Sequence, residues 1–232
     1  MLNNLNIFCK KKILIYGLGK SGKSALKFLK KKNQIVKYED GLKINIKKIT
    51  KIEYDYIIIS PGIDINKCTL SKFLKYNYKK IYTDLDIFYN HNKKNKKITI
   101  TGTNGKSTTA KILFEALKDQ KIDVRLVGNI GNPVLSEKKI TDKTVFVIEV
   151  SSYQLEYSKL FKSDISLILN ISPDHLERHK TINKYVSAKF KLLKKQSKKD
   201  LAILNAKNFY IDKELRSKNF SPKIIKIEKN IN

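Results

Sequence analysis

Short runs of apolar residues alternate with longer segments of mixed polarity along most of the chain. This alternation predicts parallel strands that are covered by helices, the arrangement of the α/β class. The apolar runs predict strands near residues 12–16, 34–39, 55–59, 80–82, 97–101, 123–127, 144–150, 164–170, 200–204 and 223–227. Helices fill several of the gaps, notably at residues 21–32, 105–119 and 181–197.

A polar stretch, NHNKKNKK at residues 90–97, interrupts the alternation. Such a composition is not expected to contribute to a core, and it therefore predicts a linker between two domains. The chain then divides into domains of residues 1–92 and 93–232. The second of these domains begins at the strand before Gly102.

Charge is the unusual feature of the composition. The formal net charge is +28 at pH 7, and such a balance is typical of proteins that bind nucleic acid. Arginine, which recognises phosphates and bases best, occurs only at positions 125, 178 and 216, whereas lysines are spread along the chain. We identify no basic motif with interleaved aromatic residues, and we expect no nucleic-acid partner.

Cys9 and Cys68 are far apart and have no Cys or His neighbour at a metal-binding spacing. This pattern is typical of a reducing compartment. The N-terminus has no long apolar segment, and no run approaches the length of a membrane span. The sequence therefore predicts a soluble, cytoplasmic protein without a membrane partner.

The stretch GLGKSGKS, residues 17–24, follows the first predicted strand and satisfies two phosphate-binding patterns. Its glycines, Gly17, Gly19 and Gly22, fit the dinucleotide fingerprint G-x-G-x-x-G. Lys23 and Ser24 extend Gly22 to fit the P-loop pattern G-x-x-x-x-G-K-[ST] as well. Neither pattern is specific by itself.

The strand that follows this turn ends at Glu39 and Asp40. A dinucleotide site places the acidic residue that binds the ribose at about this spacing. The glycines could instead serve only to let a helix and a strand pack closely. We favour a nucleotide-like ligand and keep close packing as the alternative.

A second turn, TGTNGKST at residues 101–108, also lies between a predicted strand and a helix. Lys106 can reach phosphate oxygens, and Ser107 or Thr108 can bind Mg²⁺. Gly102 and Gly105 let the backbone approach a phosphate closely. The first glycine is two residues closer to the lysine than in the standard P-loop, so the pattern alone misses this turn.

TGTNGKST resembles the ATP loop of the Mur ligases and of the related folylpolyglutamate synthases, which activate a carboxylate with ATP and join it to an amine. Further matching stretches are SPGI (60–63), GNIGNP (128–133), EVSSYQLE (149–156), LNISPDHLERH (169–179) and AKF (188–190). GLGKSG ahead of the ATP loop favours the Mur ligases, because a folylpolyglutamate synthase would begin with its ATP loop.

The resemblance implies a fold and a reaction. The expected fold is α/β, with an N-terminal Rossmann-like parallel-sheet domain and a P-loop-type ATPase domain that is incomplete at its C-terminus. The order of the motifs is most similar to the family members that join D-glutamate to UDP-N-acetylmuramoyl-L-alanine in peptidoglycan precursor synthesis. ATP would phosphorylate the lactyl-alanine carboxylate, and the amine of D-glutamate would displace phosphate. The implied cofactors are ATP and Mg²⁺.

The resemblance also implies roles for individual residues. The ATP loop would comprise Gly102, Thr103, Asn104, Gly105, Lys106, Ser107 and Thr108. The implied catalytic residues are Lys106, Glu149, His175 and Lys189. Ser107 and Glu149 would hold a first Mg²⁺, His175 a second, and a carbamate on Lys189 would bridge them. The UDP-sugar would contact Lys20, Ser21, Asp40, Ser60, Pro61, Gly62, Asn129 and His175.

Three of these residues can also be assessed from their positions alone. Glu149 ends an apolar strand, where open α/β sheets bind ligands, although a charge at a strand end can also simply reach water. His175 follows another apolar strand, but a lone histidine beside an aspartate is more often an ordinary surface or hydrogen-bonded residue. Lys189 falls in the apolar stripe of a predicted helix, where burial favours the neutral amine that reacts with CO₂, unless its chain extends to solvent.

The sequence ends at Asn232, whereas the family's enzymes are much longer. We therefore expect an incomplete ligase, without the adenine contacts or the D-glutamate site. One variant of this reading is a split ligase whose second polypeptide supplies the rest. The alternative is a non-catalytic module that retains the UDP-sugar site. A remnant without functional demand should, however, have lost the residues Lys106, Ser107, Glu149, His175 and Lys189.

Overall fold

The computed structural model describes residues 6–41 and 46–228. The chain forms two compact units. Of the described residues, those within 1–93, 133–136 and 157–160 form the first unit, and those within 94–132, 137–156 and 161–232 form the second. The predicted domain boundaries, 1–92 and 93–232, stay a prediction.

The first unit is built on a four-stranded parallel sheet with the strand order β2-β1-β3-β4. Its elements are β1 (Lys12–Tyr16), α1 (Lys20–Leu29), β2 (Gln34–Tyr38), α2 (Ile46–Thr50), β3 (Tyr56–Ile59), α3 (Ser71–Tyr76), β4 (Ile81–Tyr82) and α4 (Asp84–His91). A short 3₁₀ helix (Tyr78–Lys80) leads into β4. The central strand β1 is buried from Ile13 to Tyr16, as expected for a parallel strand that is covered on both faces.

The second unit is built on a six-stranded parallel sheet with the strand order β10-β9-β8-β5-β7-β6. Its elements are β5 (Lys96–Thr101), α5 (Lys106–Asp119), β6 (Val124–Gly128), β7 (Val145–Glu149), α6 (Ser152–Glu156), β8 (Ile165–Ile168), α7 (Leu176–His179), α8 (Ile182–Lys194), β9 (Leu201–Asn205), α9 (Phe209–Ser217) and β10 (Lys223–Ile227). Because β5 lies between β7 and β8, the carboxyl ends of these three strands meet at one edge.

The predicted α/β class and all ten predicted strands are confirmed, with ends that agree to within two residues. The three named helices are confirmed too, although α1 and α8 each end three residues earlier than predicted. Within the described residues, no helix combines the length and the apolar character needed to cross a bilayer.

The expectation that residues 90–97 contribute nothing to a core is wrong. Asn95 and Lys97 are buried, and the Asn95 amide donates to the carbonyls of Thr141 (2.7 Å) and Thr144 (2.9 Å). The Lys97 ammonium lies 3.6 Å from the Asp164 carboxylate. Buried polar groups are tolerated when they find partners, and here the partners lie far away in sequence.

Candidate functional site

The loop between β5 and α5 is shaped to receive an anion. Gly105 caps α5 with a φ of +80°, a left-handed conformation that glycine adopts without strain. The first turn of a helix has unpaired backbone N–H groups and the positive end of the helix dipole. The sequence therefore places unpaired N–H donors and the positive end of a helix dipole at the carboxyl end of β5.

Asn170, just beyond β8, fixes this loop. Its side-chain oxygen accepts hydrogen bonds from the backbone N–H groups of Thr103 (3.2 Å) and Asn104 (2.8 Å). Its amide donates to the carbonyl of Asn104 at 3.1 Å. No role for Asn170 was expected from the sequence, where the available signal was an amide at the end of a predicted apolar strand. These bonds hold the loop in one shape before any ligand binds.

Glu149, at the end of β7, lies beside the start of α5. Its carboxylate is fully buried and accepts hydrogen bonds from Ser107 Oγ (2.7 Å) and from the side-chain amide of Asn129 (2.8 Å). The alternative that this charge simply reaches water is wrong. The structure thus brings together three of the residues that the sequence singled out.

Lys189 reaches the same loop from α8. Its side chain is buried, with a relative exposure of 1%, and its Nζ donates to the carbonyl of Gly102 at 2.8 Å. The Tyr185 ring covers the ammonium, with 4.5 Å between Nζ and the ring centroid. The alternative that Lys189 extends to solvent is wrong.

Burial, together with the nearby charge of Lys106, lowers the pKa of Lys189 to about 7. Near neutral pH this lysine therefore exists partly as the free amine. The Lys106 ammonium itself folds back over the loop and donates to the carbonyl of Thr103 at 2.8 Å. Two lysines from different helices thus converge on one loop, where a bound anion would relieve their mutual repulsion.

His175 caps α7 and has a φ of +54°. Its side chain is 42% exposed, and its Nε2 lies 3.4 Å from a carboxylate oxygen of Asp174. The imidazole packs against Tyr153, with ring centroids 4.8 Å apart, and more loosely against Tyr185 at 6.2 Å. This environment matches that of a surface histidine, and its role as a metal ligand stays a prediction.

Two further residues support the site and were not assigned a role from the sequence. The Tyr185 hydroxyl lies 3.1 Å from Thr103 Oγ1, so one tyrosine contacts both the loop and Lys189. His179 is buried, with Nε2 3.0 Å from Ser152 Oγ. Burial, with the nearby Arg178 charge, lowers the pKa of His179 to about 4 and keeps it neutral at pH 7.

The oxygen donors at this site fit an Mg²⁺ ion that is shared with phosphates. Across residues 6–41 and 46–228, no group of three or more His, Cys, Asp or Glu side chains is arranged to hold a metal. Mg²⁺, however, is commonly bound by one or two carboxylates together with substrate phosphates and water. The adjacent Ser107 hydroxyl and Glu149 carboxylate supply donors of this kind.

The first glycine turn is held by its own packing. A Cβ at Gly22 would lie 1.8 Å from the carbonyl oxygen of Gly17, so α1 approaches the turn as closely as it does only because Gly22 has no side chain. Ser60 Oγ donates to the same carbonyl at 2.7 Å. The turn and the SPG stretch, residues 60–62, therefore meet at the carboxyl edge of the first sheet.

The other predicted substrate residues of this unit surround the turn. Lys20 is exposed at the start of α1, and Pro61 and Gly62 are at least partly exposed after β3. Ser21 hydrogen-bonds to the buried carboxyl of Asp84, and burial raises the pKa of that carboxyl to about 6.

The two acidic residues after β2 make different contacts. Glu39 accepts a hydrogen bond from the backbone N–H of Leu18 in the turn. Asp40 accepts one from the Tyr16 hydroxyl and one from the backbone N–H of Thr69. Burial acts to raise the pKa of Asp40, but these hydrogen bonds outweigh it and hold the pKa below its ordinary value. Contact of Asp40 with a ribose stays a prediction.

Lys23 and Ser24, which complete the P-loop pattern, take no part in the turn itself. Lys23 is exposed on α1. Ser24 is buried, and its Oγ lies 3.1 Å from Ser136 Oγ in the same unit. Lys23 and Ser24 therefore match the P-loop pattern although they occupy ordinary positions on helix α1.

Comparisons with known proteins agree with the motifs. A sequence model of the Mur ligase middle domain matches residues 100–232. The UDP-N-acetylmuramoylalanine–D-glutamate ligase of Rickettsia bellii is 35% identical over 221 residues, which cover 89% of this chain and 48% of that protein. The enzyme of the same name from Lachnoclostridium phytofermentans is 37% identical over 226 residues, or 88% and 49% of the two chains.

The chain thus spans about half the length of the curated relatives it matches. Among solved structures, UDP-N-acetylmuramate:L-alanyl-gamma-D-glutamyl-meso-diaminopimelate ligase from Neisseria meningitides has a similar fold. The TM-score is 0.59 at 12% sequence identity, and the match covers 94% of this chain and 78% of that one. The family match extends over more than half of the sequence, and the chain therefore belongs to the Mur ligase family.

Proposed function

We propose that this chain carries the nucleotide-handling part of an ATP-dependent ligase that joins D-glutamate to UDP-N-acetylmuramoyl-L-alanine. The observation that carries the proposal is the Ser107–Glu149 pair beside the loop of residues 102–105, to which the buried Lys189 is also attached. The binding of ATP with Mg²⁺ requires oxygen ligands for the metal and positive charge for the phosphates. A hydroxyl and a buried carboxylate supply the first, and a lysine at a helix start supplies the second. The names of the relatives support the choice of substrates.

The ATP phosphates would lie against the loop and the first turn of α5. The backbone N–H groups of Gly105 and of the first turn of α5, together with the helix dipole, would bind phosphate oxygens. The Lys106 ammonium would turn from the carbonyl of Thr103 to the phosphates, because a charged acceptor binds it more strongly than a carbonyl does. Thr103, Asn104 and Thr108 complete the proposed ATP site.

Ser107 and Glu149 would hold a first Mg²⁺, and His175 a second. The metal, when bound, supplies positive charge that offsets the charge of the phosphates. Glu149 suits this task because its carboxylate is already stripped of water and oriented by Ser107 and Asn129. Asn129 and His175 would also help to orient the substrate.

Lys189 would act as a carbamate. Its neutral amine nitrogen would form a bond to the carbon of CO₂, one C=O π bond would open to leave a carboxylate oxygen, and the nitrogen would then release one proton to solvent. A pKa near 7 makes the reactive amine available at neutral pH. The carbamate would also replace the repulsion between Lys106 and Lys189 by an attraction, which favours the modified form.

The UDP-sugar would bind at the first glycine turn. The start of α1 with Lys20 and Ser21 would contact phosphate, and Asp40 and residues 60–62 would contact the nucleoside and sugar. The substrate carboxylate would then attack the γ-phosphorus and release ADP. The D-glutamate amine would attack the acyl carbon, and phosphate would leave. The cytoplasm is the compartment that supplies ATP and suits the free thiols of Cys9 and Cys68.

Calorimetric titration of ATP with and without Mg²⁺ tests the proposal. We expect Mg²⁺ to raise the ATP affinity of the parent chain, and Glu149→Gln to abolish most of that increase. The matched control is Glu115→Gln, which removes the same charge from an exposed position on α5. If the parent chain bound ATP with the same affinity with and without Mg²⁺, the assignment of Ser107 and Glu149 as Mg²⁺ ligands would be refuted.

The remainder of the reaction can be tested by affinity purification from the source cells. A second polypeptide that carries the D-glutamate site should co-purify with the chain if the ligase is split. The recovered complex should release ADP over repeated turnovers only when the UDP-sugar and D-glutamate are both present. A complex that hydrolyses ATP equally without the UDP-sugar would contradict the proposed substrates.

A further inference from the structure

A cleft in the first unit lies apart from the residues assigned above. Its volume is about 830 Å³. Its walls are residues 50–53, at the end of α2, and Phe73 with residues 75–80, which extend from α3 through the 3₁₀ helix. Both walls precede their strands, β3 and β4. The cleft therefore lies at the amino edge of the first sheet, whereas the glycine turn and Ser60 lie at the carboxyl edge.

The charge of the cleft favours an anion. Lys51, Lys75 and Lys79 line it and are exposed. None of these three forms an ion pair with any part of the chain that the structure describes. Glu53, the acidic residue of the lining, is paired with Lys80 at 3.5 Å. The lining thus carries several ammonium groups that no carboxylate of its own neutralises.

Aromatic rings accompany these lysines. Residues 72–80, KFLKYNYKK, interleave lysine with aromatic residues, contrary to the expectation that the chain has no such stretch. Tyr76 is 91% exposed and Tyr78 is 43% exposed. Tyr78 is held in place by Lys159, whose ammonium lies 4.7 Å from the ring centroid. An exposed ring gains contact area when a planar ligand stacks on it.

We propose that this cleft, which we call the lysine–tyrosine cleft, binds a phosphate-bearing aromatic ring, which is the chemistry of a nucleotide. The ring would stack on Tyr76, and the phosphate would pair with the surrounding lysines. Combined aromatic stacking and lysine contacts are how proteins bind nucleotides without reading their sequence. The volume is within the range of small-molecule sites. The proposal does not depend on the ligase function.

The test is amide-resolved NMR of the full chain, titrated separately with AMP, ribose 5-phosphate and a short oligoadenylate. Because the amides of residues 50–53 and 75–80 report on the cleft, binding there is distinguished from binding at the ATP loop. We expect AMP to shift these amides and ribose 5-phosphate to bind about tenfold more weakly, since it lacks the ring. Tyr76→Ala should weaken AMP binding about tenfold and leave ribose 5-phosphate unchanged.

Charge reversal tests whether the phosphate of the ligand pairs with the lysines of the cleft. Lys79→Glu should weaken the binding of both phosphates and reduce its salt dependence. Lys199→Glu, an equal change at an exposed site of the other unit, should leave the cleft shifts unchanged. Tyr76 is too exposed for its loss to unfold the chain, and a thermal melt checks this.

The AMP and ribose 5-phosphate titrations can also contradict the proposal. If AMP leaves the cleft amides unmoved at millimolar concentration, or if AMP and ribose 5-phosphate bind equally, the proposal is overturned. If AMP and the oligoadenylate both bind to the cleft, their relative affinities show whether the natural ligand is a free nucleotide or a single strand. An oligoadenylate that binds more tightly than AMP identifies a single strand, and equal affinities identify a free nucleotide.

Discussion

The two glycine turns occupy the same place in their units, between a central parallel strand and a helix, yet different interactions hold them. In the first, α1 packs directly on the turn at Gly22, and Ser60 binds the turn's own carbonyl. In the second, Asn170 reaches in from the neighbouring strand end, and Ser107 faces the buried Glu149. The first turn thus combines close packing at Gly22 with side-chain hydrogen bonds, whereas the second depends mainly on polar side chains.

This difference shows why pattern matching alone favours the first turn, whereas the proposed ATP site is at the second. The first turn satisfies the P-loop pattern through Lys23 and Ser24, which lie on the outer and inner faces of α1. The second turn breaks the pattern, yet Lys106 folds over its own loop. Phosphate chemistry depends on what the neighbouring strands bring to the turn, and a pattern confined to the turn carries none of that information.

Substitution of Gly22 should give the largest effect. A Cβ at this position would overlap the Gly17 carbonyl, and because backbone must then move we expect Gly22→Ala to cost about 3 kcal/mol or more of stability. Gly19→Ala is the control, since no atom lies within 4 Å of a Cβ there, and it should change stability by less than about 1 kcal/mol. Urea denaturation measures both. Equal costs would mean that packing does not hold the first turn.

Lys189→Met should stabilise the second unit by about 2 kcal/mol at pH 7, because it removes a buried charge. The unfolded chain keeps the lysine proton up to a pKa of 10.5, whereas the folded chain releases it near 7. Between these values the unfolded state binds more protons, so the parent chain gains stability as pH rises and the variant does not. The difference should therefore shrink by about 1 kcal/mol per pH unit above 7.

Denaturation at pH 7 and pH 9 measures this change. Lys20→Met is the matched control, because Lys20 starts the helix of the first turn but is exposed. Lys20→Met should change the free energy of unfolding by the same small amount at both pH values. A pH-independent gain from Lys189→Met would show that the second turn has no charge that burial disfavours.

Lys106→Ala should lower the affinity for ATP with Mg²⁺ by about ten- to a hundredfold, the value of a charged hydrogen bond to phosphate. Lys23→Ala, the corresponding lysine of the first turn, should leave that affinity unchanged because its side chain is exposed on α1. Calorimetric titration compares the two variants. The reverse ranking would assign ATP to residues 17–24.

Much of the fold could be predicted because buried parallel strands are apolar along their whole length. The β1 and β7 runs show this directly, since both are almost entirely buried. Very short helices such as α6 and α7 have too few turns to establish a period. The burial of Asn95 could not be predicted, because its partners lie 46 and 49 residues away.

The site divides in the same way. Glu149 and Lys189 could be identified because each is a charged residue inside an apolar pattern, and the structure finds both buried. Asn170 and Tyr185 have no such local contrast. Their contacts with Thr103 depend on where β8 and α8 pack against the loop, which is a property of the tertiary structure.

A matched pair of serines gives the smallest and most specific effects. Ser60→Ala removes the hydrogen bond to the Gly17 carbonyl and should cost about 1 kcal/mol of stability, with no change in the affinity for ATP with Mg²⁺. Ser107→Ala should instead leave most of the stability intact, because the Asn129 amide still binds Glu149. It should reduce the increase in ATP affinity caused by Mg²⁺ several-fold, since one oxygen donor is lost. Thermal melts and calorimetric titration of both variants separate the two effects. If Ser60→Ala impaired Mg²⁺-dependent ATP binding as much as Ser107→Ala did, the assignment of ATP to the second glycine turn and not to the first would be wrong.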